Sequence, residues 1–232
     1  MIRHGMRQVI GLDLGQKQDY TAVALIEKHD QKDTHKPLLF LRHLERYPLG
    51  TLYEDVADNV KDLIEKTKAK TNRDAYPDPP EPELIVDETG VGVGVTEILS
   101  SRGLTYKPVH ITAGASETKV GKTYRVAKQQ LVSRAVAPFE SRRLKIPRKM
   151  PLVKELVHEL ENFKIKVNID TGNASFEAWR ERDHDDLVLA LALACWWIER
   201  RPRPLQMVPI PPELRGGGLA ASIRARKGSW YS

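Results

Sequence analysis

Four consecutive charged residues, Asp183, His184, Asp185 and Asp186, stand directly in front of the almost wholly apolar run 187–198. Carboxylates are favoured at a helix N-terminus, because free N–H groups and the positive end of the helix dipole point outward there. A divalent-metal site also needs acids of this kind, held at the mouth of a hydrophobic core. The sequence around residue 185 leaves both interpretations open, helix capping and metal binding.

Two further acids stand where apolar runs end. In "VIGLDLG" and "LIVDETG" the run delivers Asp13 or Asp87, and a glycine follows shortly after. A single Asp before Gly is commonly a turn former. If the two strands are parallel neighbours, however, both carboxylates emerge at one edge of the sheet, where open α/β folds bind their ligands. The helix that begins near His184 can add a third acid to that edge.

Three carboxylates at one sheet edge would raise each other's pKa values unless a cation lay between them. Carboxylate oxygens suit Mg²⁺ or Mn²⁺, and a pair of such ions stabilises the attacking and the leaving oxygen in phosphoryl transfer. The sequence therefore predicts a site for two Mg²⁺ or Mn²⁺ ions. Its ligands are Asp13, Asp87 and an acid from the cluster before the apolar run.

The elements that must position these acids follow from hydrophobic periodicity. Strand-like runs cover 7–15, 20–28, 37–47, 84–87 and 104–112. Helical spacing covers 52–69, 93–102, 126–139, 152–163 and 184–200. The first three strands follow one another directly and predict an antiparallel meander. The later alternation of strand and helix predicts parallel pairing, and so an α/β fold.

Composition narrows the class of protein. With 232 residues, 41% of them hydrophobic and 29% charged, the chain is expected to fold as one domain over 1–200, followed by a basic Pro/Gly-rich tail over 201–232. The absence of a long apolar stretch and of a signal-peptide pattern predicts a cytoplasmic protein without a membrane partner. The single cysteine, Cys195, excludes a disulfide scaffold and a cysteine zinc site. The net charge of +6 favours a polyanionic partner.

Two glycine-containing segments fail as nucleotide-binding motifs. In "GASETKVGKT", residues 114–123, six residues separate the glycines where a Walker A loop has four, so a basic surface loop is expected. In "GVGVG", residues 90–94, the dinucleotide-binding spacing is absent and a tight strand-to-helix turn explains the glycines.

The segments "GLDLGQKQDYTAVALIE", "LIVDETGVGVGVTEIL", "ITAGASETKVGKTYRVAKQQLVSRAVAPFESRRLKIP" and "WRERDHDDLVLALALACW" together resemble the nuclease domain of the large terminase subunit of tailed phages, over about residues 7–200. The resemblance implies an RNase H-like fold, with a mixed five-stranded sheet of three antiparallel and then parallel strands, flanked by helices. It implies a metal-dependent endonuclease that cuts concatemeric phage DNA. It assigns Asp13, Asp87 and Asp185 as catalytic metal ligands, and adjacent Asp186 can share that role.

The resemblance also implies partners: double-stranded DNA, a terminase ATPase motor, the small terminase subunit and the portal protein, in the host cytoplasm. Four basic residues are candidates to track the DNA backbone: Lys119, Lys122, Arg125 and Lys128. A complete large terminase carries its motor before the nuclease. Because the first strand here begins within the first ten residues, we expect the motor to have been removed or to be a separate chain.

Three alternatives stay open at this stage. "VIGLDLGQ" also resembles the first phosphate loop of the sugar-kinase and heat-shock ATPase superfamily, which needs a second similar domain that 232 residues do not accommodate. Holliday-junction resolvases and transposases share the RNase H-like fold. A non-catalytic DNA-packaging adaptor would bind DNA without metal and would not cut it.

Overall fold

Strands and helices alternate around one central sheet in the structure, a computed structural model that describes residues 6–15, 19–31, 36–71, 81–113, 116–169 and 185–200. The strands are β1 (Arg7–Asp13), β2 (Ala22–His29), β3 (Leu38–Arg46), β4 (Glu83–Asp87), β5 (Tyr106–Thr112), β6 (Thr118–Val120), β7 (Thr123–Ala127) and β8 (Leu144–Lys145). The helices are α1 (Tyr53–Lys70), α2 (Val93–Ser101), α3 (Lys128–Glu140), α4 (Val153–Ile169) and α5 (Asp186–Arg200).

The strands form a mixed sheet in the order β6-β7-β5-β4-β1-β2-β3-β8. β1, β2 and β3 pair antiparallel, which confirms the predicted meander. β4 pairs parallel with β1 on the other side, and β5 pairs parallel with β4. The five predicted strands are therefore adjacent in the sheet, with the antiparallel and parallel parts as expected.

The described sheet has eight strands, so the expected count of five was wrong. The segment expected to be a basic surface loop, residues 114–123, contains β6 and the first residue of β7. The two strands form a hairpin that turns at Gly121, where φ is +60°. β7 pairs parallel with β5, and its alternating residues Tyr124 and Val126 are buried. The charge of the segment hid this short alternation, and pairing with β5 decided the outcome. The eighth strand, β8, covers the outer edge of β3.

The helices cover both faces of the sheet. α1 and α2 pack on one face against the core side chains of β1 and β4. α3, α4 and α5 pack on the other. α3 begins at Lys128 rather than at the expected Val126, because Val126 and Ala127 still pair with β5. α5 begins at Asp186, and His184 lies outside the described residues.

α5 packs so closely on β1 at Gly11 that there is no room for a side chain at that position. A Cβ placed on Gly11 of β1 would lie 2.0 Å from the carbonyl oxygen of Ala190 and 2.9 Å from the nitrogen of Ala194. Thirteen of the fifteen residues of α5 are buried, as its uniformly apolar sequence predicts. The helix therefore lies in a fixed position across β1, with its first residue near the end of that strand.

Among the described helices, none combines the length and apolar character needed to cross a bilayer. Every described residue falls within the unit Met1–Arg201. The predicted tail, residues 201–232, lies outside the described residues, and the boundary at residue 200 stays a prediction.

Candidate active site

Asp13 and Asp87 are the last residues of two neighbouring parallel strands, and they are direct partners in the register of β1 and β4. Alternate residues of a strand point to the same face of a sheet. Asp13 therefore shares the face of Gly11, which contacts α5, and Asp87 shares the face of Ile85 in the same core. Both carboxylates are buried, with 8% and 7% of each residue exposed.

The electrostatics of Asp13 reflect a crowded and poorly solvated position. Burial raises the pKa of its carboxyl well above the usual range, and Asp87, Asp185 and Asp186 raise it further. Lys128 acts in the opposite direction. Three acids from two other parts of the chain therefore act on the Asp13 carboxyl at this sheet edge.

Asp87 is better satisfied than Asp13. Burial raises the pKa of its carboxyl, while hydrogen bonds from Thr89 oppose the shift. The backbone N–H and the hydroxyl of Thr89 both donate to Oδ1 of Asp87, at 2.8 and 2.5 Å. Thr89 in turn accepts the backbone N–H of Ile111 at 2.7 Å. The turn after β4 thus holds one oxygen of Asp87 in a fixed direction.

Asp185 precedes the first residue of α5 and accepts an ion pair from Lys128, the first residue of α3. Its backbone carbonyl accepts the N–H of Leu189 at 2.9 Å, so it also opens the hydrogen-bond ladder of the helix. The Asp185 side chain is 27% exposed. Asp185 therefore occupies the position before the first residue of α5, while its side chain lies at the sheet edge.

Asp186 lies in a different environment, although it is adjacent in sequence. It is buried, and its Oδ2 accepts the Nε of Arg46 at 2.5 Å. Arg46, the last residue of β3, also pairs with Glu159 of α4, and Glu159 accepts the backbone N–H of Val188 at 3.1 Å. Burial and the charge of Asp186 raise the pKa of Glu159 to about 7. This network ties the first turn of α5 to β3 and α4.

The residues at this edge fit a hard divalent ion by donor type, since they offer carboxylate oxygens and no thiolate. Within the described ranges, no three His, Cys, Asp or Glu side chains lie in a group that could hold a metal ion. Lys128 pairs with Asp185, and Thr89 donates a hydrogen bond to Asp87. An ion shared by Asp13, Asp87 and Asp185 would have to replace the ammonium of Lys128.

A family model described as the terminase RNase H-like domain matches residues 10–196. The chain belongs to the terminase RNase H-like domain family. No curated protein matches it in sequence.

Three solved structures are similar to this terminase RNase H-like domain to different degrees. The large terminase nuclease from the thermophilic phage G20c is 23% identical, with a TM-score of 0.52 over 82% of this chain and 81% of that chain. The human cytomegalovirus terminase nuclease domain is 11% identical, with a TM-score of 0.46 over 81% of each chain. The fowlpox virus Holliday junction resolvase is 12% identical, with a TM-score of 0.35 over 84% of this chain and 99% of that chain. The last two scores are too low to carry an argument, and the first confirms the RNase H-like fold.

The four basic residues predicted to track DNA lie in different environments in this terminase domain. Lys128 contacts Asp185. Lys119 lies over the ring of Tyr124, 4.8 Å from its centroid, on the face that packs against α5. Arg125 follows Tyr124 in β7 and so points to the opposite face, while Lys122 lies in the turn. Lys119, Lys122 and Arg125 are exposed.

Sequence reasoning missed three residues of the terminase domain that support the acids: Arg46, Thr89 and Glu159. Arg46 stands at the end of a strand, like Asp13 and Asp87, so the same positional signal was available. Thr89 follows Asp87 by two residues, which is the spacing of a local turn hydrogen bond. Glu159 lies within an amphipathic helix and had no distinguishing signal.

Proposed function

We propose that the chain is a metal-dependent endodeoxyribonuclease that hydrolyses phosphodiester bonds of concatemeric viral DNA during genome packaging. The observation that carries the proposal is the register pairing of Asp13 with Asp87 at the sheet edge where α5 begins. Membership of the terminase RNase H-like family and the fold shared with a phage terminase nuclease support it. Double-stranded DNA is the proposed substrate, and the packaging motor, small subunit and portal are proposed partners.

Asp13, Asp87 and Asp185 would hold one or two Mg²⁺ or Mn²⁺ ions. When bound, such ions lower the pKa of a coordinated water and neutralise charge on the leaving oxygen. Asp13 has the most direct need of a cation. Burial and neighbouring acids raise the pKa of its carboxyl, and a nearby positive charge would stabilise the ionised form. Thr89 keeps Asp87 oriented. Lys128 pairs with Asp185, and a bound ion would have to take the place of its ammonium.

The structure favours Asp185 over Asp186 as the helix ligand in this proposal. Asp185 is partly exposed and pairs with a lysine, whose ammonium is attached through a flexible side chain. Asp186 is committed to Arg46 inside a buried network, and removing one partner of such a network is costly. We therefore propose that Asp186 fixes α5 while Asp185 serves the site.

The test is incubation of supercoiled plasmid with the protein and Mn²⁺ or Mg²⁺, with EDTA as the metal-free control. We expect nicking with the wild type, and loss of at least about a hundredfold in rate for Asp13→Asn and Asp185→Asn. Asp62→Asn, an exposed acid of α1, is the matched control and should retain activity. Asp186→Asn should lower the melting temperature more than Asp185→Asn does.

Two results would contradict the proposal. Nicking that survives Asp13→Asn would show that another site, or a contaminant, cuts the DNA. Metal-independent DNA binding without any nicking by the wild type would favour the adaptor function instead.

A further inference from the structure

A strongly basic segment, residues 141–154, plays no part in the proposed active site. It carries six cations and no Asp or Glu: Arg142, Arg143, Lys145, Arg148, Lys149 and Lys154. It includes β8 and the turn that leads to α4, so it lies at the outer edge of β3. In a chain with 37 Lys and Arg against 31 Asp and Glu, this concentration of one sign defines a separate surface.

The backbone of this basic edge is held by hydrogen bonds at several points. The N–H of Arg143 donates to the carbonyl of Pro138 at 2.9 Å, and the carbonyl of Arg143 accepts the N–H of Leu39 at 3.0 Å. The N–H of Met150 donates to the carbonyl of Pro147 at 3.1 Å. The cations are therefore presented from an ordered part of the fold, which reduces the entropy lost when a partner binds.

Most of the cations on the basic edge point to solvent. Arg143 is half-buried and pairs with Glu199 at 2.9 Å. By contrast, Arg142, Lys145, Arg148 and Lys149 are exposed, and none of them has an ion-pair partner in the described part of the chain. Arg142 also has φ of +55°, a conformation that favours Gly or Asn. Neither internal pairing nor local backbone geometry accounts for a cation there.

The chemistry of the basic edge suits a phosphate backbone better than an apolar partner. The large hydrophobic residues exposed in the described regions, Leu49, Leu52, Val93 and Val120, all lie outside it. A protein hot spot or a lipid surface would need buried apolar or aromatic anchors. A nucleic-acid backbone needs cations alone.

The strand register gives the distance between the basic edge and the carboxylates, which lie toward opposite ends of the strands. Lys145 is level with Phe40 of β3, which is level with Glu27 of β2 and so with Gln8 of β1. Asp13 lies five residues further along β1. Strand spacing and rise place Lys145 roughly 20 Å from Asp13, about six base-pair steps of a duplex.

We propose that the basic edge is a DNA-binding exosite, which contacts the phosphate backbone of the duplex several base pairs from the carboxylates. The proposal rests on the proposed function only for the identity of the DNA substrate. Binding at the exosite needs no metal and no cleavage.

The test compares Lys145→Gln/Lys149→Gln with Lys61→Gln/Lys70→Gln, two exposed lysines of α1 without ion pairs in the described structure. The affinity of the full chain for a duplex of about 30 base pairs is measured by fluorescence anisotropy in EDTA, between about 50 and 200 mM KCl. The exosite variant should bind about tenfold more weakly at the middle of this range. Its salt slope, log Kd against log salt, should fall by about 2, since each phosphate contact contributes about 0.9.

Melting temperatures establish that both variants fold. An unchanged affinity and salt slope, or an equal loss in the α1 control, overturns the exosite.

The outcome of this binding experiment can be told apart from the outcome of the nuclease test. If the wild type binds DNA through these lysines but never nicks plasmid, the exosite stands and the nuclease proposal fails. If the exosite variant binds and nicks as the wild type does, the reverse holds. Hydrolysis of bis(p-nitrophenyl) phosphate by an active wild type should be the same in the exosite variant.

Discussion

Asp185 and Asp186 show how differently two adjacent side chains of the same type can be placed. A helix begins between them, so their side chains leave the backbone in different directions. Asp185 contacts Lys128 at the sheet edge, whereas Asp186 is buried against Arg46. The first position tolerates exchange of one cation for another. The second couples the acid to the stability of α5.

Among single residues, Asp13 is expected to make the stability of the protein depend on pH. Its pKa is raised in the native state by burial and neighbouring acids, against an ordinary value of 3.8. The native state therefore holds this proton to higher pH than the unfolded state does. The associated stability is complete below the ordinary pKa and is lost as pH rises through the native pKa.

Asn resembles the protonated carboxyl and does not titrate. Above the ordinary pKa of Asp, the melting temperature of Asp13→Asn in EDTA should therefore depend less on pH than that of the wild type. At neutral pH we expect a rise of about 2–4 °C for each kcal/mol of repulsion removed. Differential scanning calorimetry of both proteins in EDTA measures this, with Asp62→Asn as the exposed control. A lower melting temperature for Asp13→Asn at neutral pH would instead mean that the ionised carboxylate stabilises the fold.

At the scale of elements, α5 determines where the site is formed. Its apolar faces contact β1 through Gly11, and its first turn is held by Glu159 and Arg46. The helix can therefore neither slide along the sheet nor rotate without breaking a buried contact. A rigid helix start is what a site needs if it must bring a third acid to two strand ends.

Gly11→Ala tests this packing. The new methyl group would meet the α5 backbone at 2.0 Å, so the helix or the strand must shift. We expect a loss of about 3 kcal/mol or more, a fall in melting temperature of roughly 6–12 °C, and reduced nicking activity. Gly94→Ala is the matched control. A Cβ at Gly94 meets nothing within 4 Å and lies inside α2, where Ala is favoured over Gly. Equal stability of the two variants would contradict the role given to the Gly11 contact.

At the scale of the whole molecule, the basic residues lie on opposite sides of the carboxylates. The β6–β7 hairpin is at one edge of the sheet, β8 is at the other, and β1 and β4 lie between them. Six strand spacings separate β7 from β8, which is about 30 Å. Tyr124 of β7 is level with Asp13, whereas Lys145 of β8 is level with Gln8. A duplex that contacts both groups must therefore cross the strands diagonally.

This arrangement predicts additivity. Lys122→Gln/Arg125→Gln and Lys145→Gln/Lys149→Gln should each weaken duplex binding, and the combined variant should show the sum of their free-energy changes within about 0.5 kcal/mol. Anisotropy titrations at constant salt measure all three. If the combined variant binds duplex with the same affinity as the weaker-binding of the two double variants, the two edges bind DNA alternately rather than together.

Much of the fold could be predicted from the sequence because its elements have strong local patterns. Apolar runs and helical spacing identified β1 to β5 and all five helices, and the order of elements predicted which strands pair in parallel. The hairpin β6–β7 and the strand β8 were not predicted. Strands of two to five residues form because they pair with a neighbouring strand, and their own composition gives little signal.

For the site, local sequence patterns were enough to predict that Asp13 and Asp87 end buried strands and that acids precede an apolar helix. Three contacts could not be predicted in this way and are seen in the folded chain. Asp13 and Asp87 are register partners, Lys128 pairs with Asp185, and Arg46 joins Asp186 to Glu159. The physical reason is the distance along the chain between the residues that meet. Strand ends and helix starts follow from neighbouring residues, whereas these contacts join side chains up to 140 positions apart, whose meeting depends on strand register and on the angle at which α5 crosses the sheet.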